Sequence, residues 1–182
     1  MTRQLIANLL QAEELALIAQ AWPKIAFVDG KTTAGKKAAR VKANEQASRD
    51  DPVARTLKGL VTDALRQNAD FIALTRAEQI SPLLLSRYTT GMEYGRHIDD
   101  AIMYPGGREF RIDFSFTVFL SPPDQYEGGE LVLEDDGGDT IIKPDAGSVF
   151  VYPSGVPHRV ARVTSGERRA AVGWVQSLTR RP

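Results

Sequence analysis

Only two histidines occur in the 182 residues, and one of them stands two positions before a carboxylate that could share a metal with it. His97 opens the triplet His97-Ile98-Asp99, and His158 follows 61 residues later in Pro157-His158-Arg159. Two neutral imidazoles and one carboxylate are the donor set that holds Fe(II) on one face and leaves the opposite positions open. In an extended strand, residues i and i+2 project to the same side, so His97 and Asp99 can share an ion while Ile98 packs away from it. The third ligand must come from a distant strand, and one histidine remains to supply it. Ten residues beyond it stands Arg168, whose guanidinium could anchor a carboxylate through paired hydrogen bonds.

A His-x-Asp triplet is short enough to arise by chance, and a lone histidine is more often a satisfied core or surface residue than a ligand. What discriminates is order: His-x-Asp, a long gap, His, then Arg within the next two strands. No surplus histidines exist from which to pick a convenient match. Arg168 has its own ambiguity, because Arg159, Arg162, Arg169, Arg180 and Arg181 crowd the same tail. If it opens the last strand, it shares a face with Ala170, Val172 and Trp174, while Arg169 faces away. Otherwise it is a solvated arginine at a turn after Gly166.

These groups need a scaffold, and the sequence supplies one in two textures. Ala12, Leu15, Ala16, Ala19 and Trp22 recur at spacings of three and four, predicting a helix that stops before Pro23. Residues 29–50 lack an apolar period and read as a surface loop, locally basic through Lys31, Lys36, Lys37, Arg40 and Lys42. Asp51-Pro52 has the form of an N-cap followed by proline at the first helical position. The helix it opens would bury Val53, Leu57, Leu60, Val61, Ala64 and Leu65.

From Pro82 onward the chain reads as eight short strands: 83–88, 95–99, 111–120, 130–134, 140–143, 148–152, 158–163 and 170–176. Glycines punctuate several of the intervals. Eight such strands predict a jelly roll or a barrel. In the 111–120 strand, Ile112, Phe114, Phe116, Val118 and Leu120 form one apolar face. Arg111, Asp113, Ser115 and Thr117, with Phe119, form the other, which either meets solvent or lines a pocket between sheets.

Composition narrows the function classes. Lys plus Arg and Asp plus Glu number 23 each, so no global field draws the chain to nucleic acid or anionic membrane. With no cysteine there is no disulfide, no thiolate metal site and no thiol nucleophile. The amino-terminal apolar run is too short for a secretory signal, and no stretch reaches membrane-spanning length. A cytoplasmic location is the expectation.

Several motifs in order resemble one family, the bacterial PKHD-type hydroxylases among prolyl-4-hydroxylase-like Fe(II)/2-oxoglutarate dioxygenases. They are residues 88–99, Arg111-Ile112-Asp113-Phe114-Ser115, Tyr126-Glu127-Gly128-Gly129-Glu130-Leu131, Val151-Tyr152-Pro153-Ser154, and His158 through Gly166-Glu167-Arg168 to Ser177. Residues 35–46, with Val41-Lys42-Ala43-Asn44-Glu45-Gln46, fit the family's amino-terminal region. The resemblance spans nearly the whole chain. It implies a mostly β fold with amino-terminal helices (α+β): a double-stranded β-helix, or jelly roll, with helices packed on one sheet. One domain over 1–182 is expected, with 1–80 as helical flank and basic loop and 81–178 as jelly-roll core.

The resemblance further implies His97, Asp99 and His158 as iron ligands and Arg168 as partner of the distal carboxylate of 2-oxoglutarate, with Tyr88 and Thr117 lining that pocket. It implies Fe(II), 2-oxoglutarate and O2 as reactants, ascorbate as an external reductant, and succinate and CO2 as products. The prime substrate would be a peptide, protein or amino acid, and the family label points to proline or lysine side chains. Two departures stand out: Asp100 replaces the family's usual neutral Asn, and many members continue well beyond the segment matching Trp174 to Ser177. Two alternatives remain at this level. One is a nucleic-acid demethylase of the same superfamily, disfavoured by the short His158–Arg168 spacing and neutral charge. The other is a non-catalytic cupin-like sensor, whose metal motif usually needs more histidines.

Overall fold

The computed structural model describes residues 3–33, 35, 38–135 and 137–178. All eight expected core strands form, and they divide between two antiparallel sheets. The larger sheet runs in the order Gln4–Ile6, Val149–Pro153, Phe114–Phe119, Val163–Ser177, Leu84–Thr89, Glu45–Ala47, Phe27–Asp29. Ala77–Ile80 and Tyr126–Gly128 add to the Val163–Ser177 strand. The smaller sheet runs Gly138–Ile142, Leu131–Asp135, His158–Val160, Glu93–His97, Lys42–Ala43. The chain thus passes back and forth between facing sheets, apart from the hairpin of Leu131–Asp135 and Gly138–Ile142 within the smaller one, as in a jelly roll.

The sheets acquire their two faces from strand alternation. Phe114, Phe116 and Val118 point outward from the larger sheet and join Leu85, Ala171 and Val175 in the main core. Three helices cover that face: α1 (Ala12–Ala21), α2 (Pro52–Gln67) and α3 (Ala69–Thr75). From α2 come Ala54, Leu57, Val61 and Leu65, all buried. Its start is fixed as expected, because the Asp51 side chain accepts from the Ala54 N–H at 2.7 Å. The other Asp51 oxygen accepts from Ala26 N–H at 2.8 Å, tying the helix to the preceding segment.

Three expectations are corrected. In α1 the buried line is Leu15, Ile18 and Trp22, while Ala12, Ala16 and Ala19 face solvent. Both stripes keep helical spacing, and the one with larger side chains removes more apolar area from water. Residues 29–50 are not simply a surface loop. Lys42–Ala43 pairs with Glu93–His97 at the edge of the smaller sheet, and Glu45–Ala47 pairs with Leu84–Thr89 in the larger. This segment straps the two sheets together and buries Lys42, Asn44 and Gln46. Lys36 and Lys37 of the basic run lie outside the described residues, as do Arg180 and Arg181. Last, the amino-terminal third is not wholly helical, since Gln4–Ile6 pairs with Val149–Val151.

Candidate active site

The two sheets enclose a cavity of about 790 Å³, and the polar face of the Phe114–Phe119 strand opens into it. Ser115 and Thr117 are buried there. Arg111 and Asp113 are not part of the lining: they pair with each other, and Arg111 Nη2 donates to Ser177 O at 2.7 Å, pinning the end of the last long strand. The alternation expected for this strand holds, and its polar residues divide between pocket and anchor.

His97, Asp99 and His158 meet in the cavity, with one ligand atom from each within 4.8 Å of the others. His97 and His158 sit directly opposite each other across neighbouring strands. Asp99 does not share a strand with His97, because the strand ends at His97. A bulge also interrupts this strand, two steps on His158–Val160 facing three on Tyr94–His97. It turns Tyr94 and His97 to the same side, where their rings stack 3.7 Å apart. Ile98 is 51% exposed rather than packed away.

What brings Asp99 into place is hydrogen bonding. Ser115 Oγ donates to its Oδ2 at 2.6 Å and Trp174 Nε1 donates to the same oxygen at 2.9 Å. Oδ1 is left with lone pairs for an ion. His97 Nε2 lies 3.9 Å from Oδ1, and His158 Nε2 lies 3.8 Å from Oδ2. Two ligands each about 2.1 Å from one ion can stand at most about 4.2 Å apart, so His97 Nε2 and Asp99 Oδ1 are close enough to share one. Each imidazole turns Nδ1 to a backbone carbonyl, Gly95 O at 2.8 Å and Val156 O at 2.9 Å. That fixes the proton on Nδ1 and leaves Nε2 as a free donor pair. Burial, with His158 as the next contributor, lowers the His97 pKa to about 4, so its imidazole is neutral near pH 7. Tyr152 packs edge-on against His158 with ring centres 5.1 Å apart.

Arg168 lies within the Val163–Ser177 strand rather than at its start, and it is 1% exposed. It shares a face with Val172 and Trp174, all three lining the cavity. Its guanidinium stands 5.1 Å from the Tyr88 ring and 5.6 Å from Phe119. No acid among the described residues pairs with it, and its Nε has no acceptor. A buried guanidinium without an anion is costly unless a ligand completes it. Gly129, with φ of 68°, passes so close that a β-carbon there would sit 3.0 Å from Arg168 Cδ. Arg169 points the other way and pairs with Glu167 at 2.5 Å.

Tyr88 is opposite Arg168 on the neighbouring strand, and Thr117 is opposite Val172. Both are buried in the cavity wall. Burial raises the Tyr88 pKa, opposed by Arg168, so its phenol is protonated. Asp100 is exposed at the cavity rim. Three lining residues escaped the sequence: Ser115 and Trp174 as donors to Asp99, and Lys42. The sequence left the face of Ser115 open between solvent and pocket and set Trp174 on the face of Arg168, whereas only the strap reveals the third.

The donor set and the unpaired guanidinium fit an iron ion and a dicarboxylate, and comparison with known proteins agrees. The family model for the 2OG-Fe(II) oxygenase superfamily matches residues 83–176. A PKHD-type hydroxylase of Synechococcus elongatus is 47% identical over 97% of this chain and 79% of its own length. One from Parvibaculum lavamentivorans is 50% identical over 96% of this chain and 78% of its own. Among solved structures, a Trichoplax adhaerens prolyl hydroxylase in complex with a hypoxia inducible factor oxygen degradation domain peptide fragment shares the fold. Its TM-score is 0.67 at 17% identity, covering 95% of this chain and 82% of that one. The chain belongs to the 2OG-Fe(II) oxygenase superfamily, whose members depend on iron and 2-oxoglutarate.

Proposed function

We propose that this oxygenase hydroxylates a C–H bond on a prolyl or other amino-acid side chain of a peptide or protein, holding Fe(II) through His97, Asp99 and His158. The observation that carries this reading is that the three potential ligands share one cavity with a buried arginine that has no anionic partner among the described residues. The hydroxylase names of relatives near 50% identity support the reaction class. Bound there, iron and 2-oxoglutarate would supply the O2 activation, with decarboxylation to succinate and CO2.

The chain's own part is to bind, orient and exclude water. Arg168 would take the distal carboxylate, with Tyr88 and Thr117 walling that end. Ser115 and Trp174 hold Asp99 by Oδ2 and keep Oδ1 toward the ion. Val41 and Ile98, exposed where they line the cavity, would meet the prime substrate. The whole chain is read as one such domain, supported by the pairing of Gln4–Ile6 with Val149–Val151. Among the described residues no helix is long and apolar enough to cross a membrane.

The test supplies the protein with Fe(II), 2-oxoglutarate, ascorbate as external reductant, and 18O2. One labelled oxygen should enter succinate, slowly without a prime substrate and faster with prolyl peptides, which should gain the second label. Iron-independent background levels of succinate with every peptide would favour the non-catalytic sensor.

A further inference from the structure

Lys42 is 4% exposed and lines the cavity, yet the site described above leaves it no task. An ammonium has three N–H donors. One reaches Thr33 Oγ1 at 3.2 Å, and the ammonium makes no other hydrogen bond among the described residues. Lys42 joins none of the ion pairs found there. It also lies over the face of the Tyr94 ring, whose centre is 5.1 Å away and which stacks in turn on His97. The neighbouring polar groups serve each other: Thr33 bonds to Gln46, and Gln46 Nε2 donates to Ser86 Oγ at 3.3 Å. They fix the position of the ammonium without neutralising it.

Burying a cation without an anion costs free energy. Desolvation pulls the Lys42 pKa down to about 8, and the negative charges of Asp99 and Asp29 only partly oppose it. A metal ion on Asp99 would cancel much of that support. The cosubstrate cannot replace it, because Fe(II) with Asp99 and the Arg168 guanidinium already balance the two carboxylates of 2-oxoglutarate. One buried positive charge is left over, and it stands on the strap rather than on the strand that carries Arg168.

We propose that Lys42, positioned by Thr33 and Gln46, is a second carboxylate-binding subsite that reads a free carboxylate of the prime substrate, selecting amino acids or peptides that carry one near the hydroxylated carbon. This rests on the 2-oxoglutarate hydroxylase reading of the cavity. Failure of that reading would appear as absent 2-oxoglutarate binding, which the experiment scores separately.

The probe is a panel of N-acetyl amino acids and their amides, including the amides of N-acetyl aspartate and N-acetyl glutamate to cover side-chain carboxylates. Binding is followed by ligand-observed NMR on the full chain loaded with Zn(II) and 2-oxoglutarate, where no turnover occurs. A charge-assisted bond predicts that the preferred acid binds about tenfold or more tightly than its neutral counterpart. Lys42→Met should erase that preference, Lys42→Arg should keep part of it, and both should hold 2-oxoglutarate with unchanged affinity. Equal binding of acids and neutral counterparts by the unmodified protein would overturn the proposal. So would a preference that survives in Lys42→Met. A loss of 2-oxoglutarate affinity in Lys42→Met and Lys42→Arg would assign the lysine to the cosubstrate instead.

Discussion

Trp174 Nε1 donates to Asp99 Oδ2 at 2.9 Å, joining residues that are 75 positions apart in the chain. Asp99 lies past the end of its strand, so neither sheet register nor helix geometry holds it. The indole and the Ser115 hydroxyl do so instead, and both use the same oxygen. A carboxylate gripped this way offers its other oxygen to an ion and leaves coordination positions free for other ligands.

Trp174→Phe keeps the ring and removes the donor. Loss of a group that orients a metal ligand typically costs about 10–100-fold in metal affinity. Anaerobic Fe(II) titration of Trp174→Phe should show a loss in that range, and the double variant with Ser115→Ala should lose more. Unchanged affinity in the double variant would show that Asp99 is held by other means.

Arg168 and Arg169 provide a paired control. Removing one half of a desolvated charge pair costs about 2–5 kcal/mol. Arg168→Ala should weaken anaerobic 2-oxoglutarate binding by that amount in isothermal titration, whereas Arg169→Ala should leave it nearly unchanged. Arg168→Lys should recover only part, because an ammonium cannot make two parallel hydrogen bonds. A larger loss at Arg169 would contradict the assignment.

Asp51 links the cap of α2 to Ala26, and backbone N–H groups of Ala26 and Ala54 hold its pKa below the usual carboxylate value. A depressed folded pKa gives stability that is present above the unfolded value of about 3.9 and lost as pH falls through the folded one. Asp51→Ala should cost about 1–2 kcal/mol near pH 7 by urea denaturation. The Tm gap between the unmodified protein and Asp51→Asn should close below about pH 4.

The α1 correction is testable as well. Ile18→Ala should cost about 2–5 kcal/mol as a core truncation, while Ala16→Ser and Ala19→Ser should each stay within about 0.5 kcal/mol. Comparable losses at all three positions would restore the alanine-rich stripe.

Much of this was legible before the fold was known, for identifiable reasons. The candidate ligands could be picked out because only two histidines exist, and period-two alternation placed Arg168, Val172 and Trp174 on one face. The cap of α2 was legible because Asp51-Pro52 is a local signal. The strap was not: its strands are two and three residues long, and its bridge between the sheets depends on strand edges 40 or more residues away. Alternation also failed at Glu93–His97, where the bulge resets which side chains face inward. Asp99 reached the expected place by a different route, through side-chain donors from distant strands rather than through the spacing of His97-Ile98-Asp99.

If His97, Asp99 and His158 together hold the iron, anaerobic Fe(II) titration of the three alanine variants will show it. The unmodified protein should bind one Fe(II) per chain, and His97→Ala, Asp99→Ala and His158→Ala should each lose affinity severely while remaining folded by circular dichroism. Tight one-to-one iron binding retained by a folded His158→Ala variant would show that His158 is not a ligand.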